Sequence, residues 1–246
     1  VAVSNVEDGA RLRIQLPDDP GDLAHEGDPE PRFLDVEVVA LVSASLAYGR
    51  ATLFKPKIAA ILDGLGAHPA RRLKRLEVDE LPRLLDGFVY RFNLPADVGV
   101  LLLGIGACLR THGSLEAVFL EARRVTPSHH RALARFAQLL REAAPTKEIV
   151  KVLGKTRGLD HLLPTGDGAA KRLSLYLRWM VRGPDAIDFG IWKRVEPSSL
   201  VIPLDTHIAR MAIQLGLTSR RTAGWKMAEE ITASLACLDP ADPVRY

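Results

Sequence analysis

Ala169-Ala170-Lys171-Arg172-Leu173-Ser174-Leu175-Tyr176-Leu177-Arg178-Trp179-Met180-Val181-Arg182, and further along Ile202-Pro203-Leu204-Asp205-Thr206-His207, decide how this chain is read. In the first stretch Ala170, Leu173, Leu177, Met180 and Val181 recur at helical spacing and predict an apolar face. Lys171, Arg178 and Arg182 share another stripe of the same helix, one that can follow a phosphate backbone. In the second stretch Pro203 disfavours helix in the residue before it and Asp205 is a good N-cap. Ile208, Met211, Ala212 and Leu215 then recur on one face until Gly216 offers a stop. Asp205 is therefore expected at a helix N-terminus, where free N–H groups favour its ionised form. That position suits a structural cap and a catalytic carboxylate equally.

Upstream, Leu163-Pro164-Thr165-Gly166-Asp167-Gly168 reads as a tight turn into the Lys171 helix, with Gly166 and Gly168 leaving backbone N–H groups open to an anion. Helical patterns fill most of the rest: 34–48, 55–65, 69–76, 81–91, 96–109, 114–123, 129–140, 146–153, 169–182, 206–215 and 223–235. Apart from a short strand pair near Arg11 to Leu16, no alternating pattern interrupts them, and no fixed-period repeat is visible. The expected class is all-α, and 246 residues with 47% hydrophobic content suffice for a sizeable core.

Charge is unevenly placed. The formal total is +3, yet residues 1–37 hold ten acidic and three basic side chains, leaving +10 on the remainder. Such a balance favours polyanions, and it equally describes a solvated surface. The segment 1–31, acidic and rich in Asp, Gly and Pro, reads as an extended arm. Cys108 lies in an apolar helix and reads as a buried structural thiol, and Cys237 is isolated. No signal peptide or membrane-length apolar span is visible, which makes the cytoplasm the default location.

Other chemistries lack their motifs: no His-Glu-x-x-His, Cys-x-x-Cys, P-loop or Gly-x-Ser-x-Gly stands in the chain. The neighbours His129 and His130 point about a quarter-turn apart on a helix, so they read as surface residues rather than a metal site. No metal is expected.

The combination of Leu-Pro, a glycine turn, a lysine-bearing helix and then Pro203-Leu204-Asp205-Thr206-His207 resembles the helix-hairpin-helix DNA glycosylase superfamily. The 34 residues from Lys171 to Asp205 are more like the archaeal 8-oxoguanine glycosylase branch than the endonuclease III and adenine glycosylase branches. A nearer resemblance is to a bacterial family of unknown function, DUF2400. It is carried by Leu46-Ala47-Tyr48-Gly49-Arg50, Tyr90-Arg91-Phe92, Lys171-Arg172-Leu173, Leu177-Arg178-Trp179-Met180-Val181-Arg182, Asp188-Phe189-Gly190-Ile191-Trp192 and Asp239-Pro240-Ala241-Asp242-Pro243. The turn 163–168 departs from the superfamily in lacking a Gly-Val-Gly core.

The resemblance implies a two-lobed helical fold: an N-terminal arm over residues 1–33, a helical bundle over 34–145, and a helix-hairpin-helix-like lobe over 146–246, with a ligand cleft between lobes. It implies that Lys171 attacks sugar C1′ to give a Schiff base, with Asp205 orienting or deprotonating it and stabilising charge on the sugar. The attacking species is the free amine, so burial or a cation such as Arg172 has to favour loss of the proton. Tyr48 and Arg50 would probe the DNA, and Tyr48, Trp179, Phe189 and Trp192 are candidate platforms for an extruded base. Each has a structural alternative: Tyr48-Gly49-Arg50 as a glycine-terminated helix exit, and the aromatics as core. His207 is a candidate contact near the chemistry or a helix-start hydrogen-bonding residue, and Trp225 reads as packing. Some glycosylases carry a four-cysteine iron–sulfur loop. This chain ends at Tyr246 without one, so no cofactor is expected.

Three functions are consistent with these residues. One is a DNA N-glycosylase with lyase activity on oxidised purines, whose partner is duplex DNA carrying a damaged base and not a membrane. Another is a glycosidase for a modified nucleoside or nucleotide, and the third is a non-catalytic helix-hairpin-helix binding module.

Overall fold

The computed structural model describes residues 2–5, 12–15, 32–126, 128–166, 168 and 170–245. The segment expected as an acidic arm lies for the most part outside the described residues, as do Asp167 and Ala169 of the glycine turn. Among the described residues the protein is all-helical apart from one antiparallel strand pair, β1 (Ala2–Asn5) with β2 (Leu12–Gln15). The helices are α1 (Arg32–Leu46), α2 (Ala51–Leu65), α3 (Pro69–Arg75), α4 (Leu81–Leu84), α5 (Pro95–His112), α6 (Leu115–Val125), α7 (His129–Ala143), α8 (Thr146–Leu153), α9 (Leu159–Leu162), α10 (Lys171–Val181), α11 (Thr206–Gln214) and α12 (Trp225–Ala236). Short 3-10 turns lie at Val78–Glu80 and Pro197–Ser199.

Two compact units divide the chain: residues 1–118 with 137–163, and residues 119–136 with 164–246. In the first, α5 packs against α1, α3, α8 and α9. From Leu34 to Leu46, α1 is buried on every side, as expected of a helix apolar all round. Its acidic residues have a purpose there. Asp35 accepts the Ala70 N–H at 2.8 Å near the start of α3, and Glu37 accepts Leu115 and Glu116 N–H at 2.8 and 3.0 Å at the start of α6. Each carboxylate satisfies N–H groups that the helix start leaves unpaired. Burial is the largest influence on Asp35 and raises its pKa, against the Ala70 bond and His68.

Close helix approach in this unit depends on glycine. A Cβ on Gly104 would stand 2.2 Å from the Leu140 carbonyl oxygen, and one on Gly106 would stand 2.2 Å from that of Leu73. Cys108 is buried as expected, and burial pushes its thiol up to about 11.

The second unit holds α10, α11 and α12 and contains an aromatic cluster in which Phe119 stacks on Trp192 (centroids 5.7 Å) and Trp192 meets Tyr176 edge-on (5.5 Å). Most predicted helices appear within two or three residues of their expected ends. The expected helix 81–91 is an exception: α4 makes one turn, and the chain then unwinds through Gly87 (φ 63°) and Arg91 (φ 51°) into a Tyr90–Asn93 bridge. The buried Asn93 side chain supplies the reason, because it binds Tyr48 and Gly158 and so holds the turn out of helix. The face expected to bury α11 is also revised: Ala209 and Ala212 are buried, whereas Met211 is 44% and Leu215 is 68% exposed.

Candidate functional site

Lys171 and Asp205 meet. Lys171 is the first residue of α10 and Asp205 is the N-cap of α11, and Lys171 Nζ donates to Asp205 Oδ2 at 2.8 Å. The other oxygen, Oδ1, accepts the Ile208 N–H at 2.8 Å, so one carboxylate caps a helix and holds a lysine together. Partial burial acts to raise the Asp205 pKa; the Ile208 N–H, the Lys171 ammonium and the His207 N–H outweigh it, and the result lies below the usual value. The side chains are 44% and 36% exposed, which leaves the pair reachable from solvent. Ala170, immediately before, adopts a left-handed conformation (φ 43°, ψ 34°) that a non-glycine residue holds at a penalty of about 1 kcal/mol. Burial of Lys171, one of the two means expected for favouring its free amine, is absent.

The cation stripe divides. Lys171 is exposed, but Arg178 and Arg182 turn to carboxylates of their own unit. Arg178 Nε reaches the buried Asp188 at 3.2 Å; Arg182 Nη1 donates to the same Asp188 oxygen, and its Nε binds Asp242 at 2.8 Å. Arg182 is only 9% exposed, so the expectation that it contacts a phosphate is corrected: it is an internal tie. Arg172 is partly buried, with an enclosed Nε. The loop after α10 closes its C-terminus, as Phe189 and Gly190 N–H donate to the Trp179 oxygen and Trp192 N–H to that of Met180. A Cβ on Gly190 (φ 59°) would stand 2.5 Å from Gly183, which makes glycine obligatory in this return. Asp239 receives the N–H groups of Ala241 and Asp242 at 3.1 Å each, setting Asp242 for Arg182. Two of the stretches that carry the family resemblance, 188–192 and 239–243, thus have a structural explanation.

Trp192 is 2% exposed inside the aromatic cluster, which corrects its candidacy as a base platform. Trp179 and Phe189 are partly buried around the α10 return. Gly166 and Gly168 are exposed, with open space where a Cβ would stand. His207 is exposed on the first turn of α11, and Arg50 is exposed before α2. His129 and His130 are not open surface residues: both rings stack on the buried Trp225, at 6.0 and 4.6 Å, with their Nε2 atoms enclosed. Burial, then Arg123 and His130, lowers His129 to about 4. No group of three metal-ligating side chains occurs among the described residues.

Tyr48 belongs to a second constellation, in the first unit. Its hydroxyl has two acceptors within reach, Asn93 Oδ1 at 2.5 Å and the Tyr90 carbonyl oxygen at 3.0 Å, and its ring meets His161 edge-on at 4.2 Å. Arg91 lies over the Tyr48 and Phe92 rings at 5.9 and 5.7 Å. The buried Asp97 accepts N–H groups of Leu94, Arg157 and Gly158 at 2.7, 2.9 and 3.0 Å, fastening the loop before α9 to the start of α5. Arg91, Phe92, Arg157 and His161 were not singled out as site residues from sequence. The one available signal was the arginine between aromatics in Tyr90-Arg91-Phe92, and its partners lie more than sixty residues away.

The chain matches the model of a family described as "Protein of unknown function (DUF2400)" over residues 19–246, and it belongs to that family. No curated protein and no solved structure matches the chain.

Proposed function

We propose that Lys171 and Asp205 are the catalytic pair of an enzyme that cleaves the glycosidic bond of a nucleotide in DNA, with a damaged base, an oxidised purine above all, as the group removed. The 2.8 Å contact between Lys171 Nζ and Asp205 Oδ2 carries this reading, because it joins an exposed amine to a base anchored by a helix start. Asp205 takes a proton from Lys171 across that contact. The amine lone pair forms the N–C1′ bond while the glycosidic bond breaks, its electrons leaving with the base, which gains a proton. Ring opening gives a Schiff base, and loss of a C2′ proton then expels the 3′ phosphate by β-elimination. The positive end of α11 holds Asp205 ionised at the outset, and the carboxylate, regenerated as its proton passes to the departing base, stabilises positive charge at the sugar. Arg182 and Trp192 have no part in this reading, being internal.

A different reading has its own support. The pair is more than a third exposed, and such ion pairs stabilise by roughly 0–1 kcal/mol, so it also suits a clamp between two helix starts in a binding module. Base release from a lesion-bearing duplex separates the two: the enzyme reading expects release by the wild type and at least about a hundredfold less by Asp205→Asn, whereas a binding module releases none from either.

A further inference from the structure

The first unit has an open cavity of about 730 Å³ lined by Arg91, Phe92, Arg157, Gly158, Asp160 and His161. Its charge is unbalanced. The one lining carboxylate, Asp160, is taken by Arg141 at 2.7 Å, while the Arg91 guanidinium has no hydrogen bond or ion pair among the described residues. Arg157 uses two donors on the Phe92 and Arg91 carbonyl oxygens, at 3.2 and 2.5 Å, and a guanidinium has five. Phe92 is 51% exposed, with His161 edge-on at 5.5 Å.

The backbone is shaped to hold these groups. Arg91 stands at φ 51°, a strained conformation for arginine, and Arg157 binds the carbonyls of both central residues of the turn, Arg91 and Phe92. Gly49 stands at φ 79°, a conformation side chains rarely adopt, and a Cβ on Gly158 would lie 2.6 Å from the Phe92 backbone oxygen, so both positions favour glycine. Strain sustained to present a cation that has no carboxylate partner and lies beside an exposed ring is the pattern of a ligand site.

We propose that this cavity binds one nucleotide unit, its phosphate on the Arg91 and Arg157 guanidiniums and its base against Phe92 and His161. Guanidinium forks match phosphate oxygens, and aromatic faces accept any base by stacking. The site goes beyond the reading of Lys171 and Asp205 and uses neither residue.

The test is fluorescence anisotropy of a labelled ten-residue single-stranded oligodeoxyadenylate, with deoxyadenosine monophosphate as competitor. Wild type, Phe92→Ala, Arg91→Asn and, as a charge control, Lys226→Gln at an exposed position on α12 are compared. Asparagine tolerates the left-handed conformation and Phe92 is half exposed, so both site variants should keep the fold, as a thermal melt checks. Phe92→Ala and Arg91→Asn should each weaken binding about tenfold, with Lys226→Gln unchanged. Displacement by the mononucleotide identifies a free nucleotide as the source, and binding of the strand without displacement identifies nucleic acid. Either supports the site. No binding by wild type, equal binding by the site variants, or an equal loss in Lys226→Gln overturns it. Failure of the catalytic reading leaves these results unaffected.

Discussion

Arg182 and Asp188 form an ion pair whose carboxylate is wholly withdrawn from solvent, the two standing six positions apart across a tight loop. Arg178 shares the carboxylate, and Asp185 and Asp242 share the guanidinium, so five charges from α10, the loop after it and the C-terminal stretch close one network. Removing one member leaves cations buried without their counter-charge. Asp188→Asn should therefore destabilise the protein by roughly 3–5 kcal/mol, read as a fall in urea midpoint. A change under about 1 kcal/mol would show that the network does not hold this unit.

A second prediction concerns Gly104. A methyl group there meets the Leu140 backbone oxygen and not a side chain that can move aside, so Gly104→Ala should cost about 1–3 kcal/mol by overpacking. Thermal unfolding measures it, and an unchanged melting temperature would mean that α5 and α7 approach less closely than described.

Acid sensitivity follows from His129. Its folded pKa of about 4 lies below the ordinary 6.5, so between these values the unfolded chain binds more protons and stability falls as the pH is lowered. The loss should be complete near pH 4 and amount to about 3 kcal/mol. His129→Phe, which keeps a ring against Trp225, should flatten denaturation midpoints across this window. An unaltered slope would assign the acid sensitivity to other groups.

Asp205 allows structure to be separated from chemistry. Asparagine caps helices about as well as aspartate, so Asp205→Asn should keep the Ile208 bond and lose less than about 1 kcal/mol of stability. It cannot accept a proton from Lys171, and base release should fall at least about a hundredfold. Equal loss of fold and function would leave Asp205 as a cap alone.

Much of the fold was legible because it is local. The span of α8 matches its periodicity to the residue, and Pro203 with Asp205 marked the start of α11. The Lys171–Asp205 contact was legible too, through the resemblance rather than the spacing. What failed depended on long-range partners. Arg178 and Arg182 share a helix stripe, yet Asp188 and Asp242 turn them inward. The run 81–91 has helical periodicity, yet Asn93, Tyr48 and Gly158 hold it open. His129 and His130 look like surface neighbours until Trp225 covers them. The Arg91 cavity joins a turn to a loop more than sixty residues on, which no local pattern announces.

The central claim is that Lys171 attacks a sugar carbon with the help of Asp205. Its most direct test is borohydride trapping of the purified protein on duplexes carrying 8-oxoguanine, uracil or an abasic site, with Lys171→Gln and Asp205→Asn alongside. The account predicts a covalent protein–DNA complex with wild type on the 8-oxoguanine and abasic duplexes, absent in Lys171→Gln and much reduced in Asp205→Asn. A complex that persists in Lys171→Gln, or none with wild type on any duplex, would contradict it.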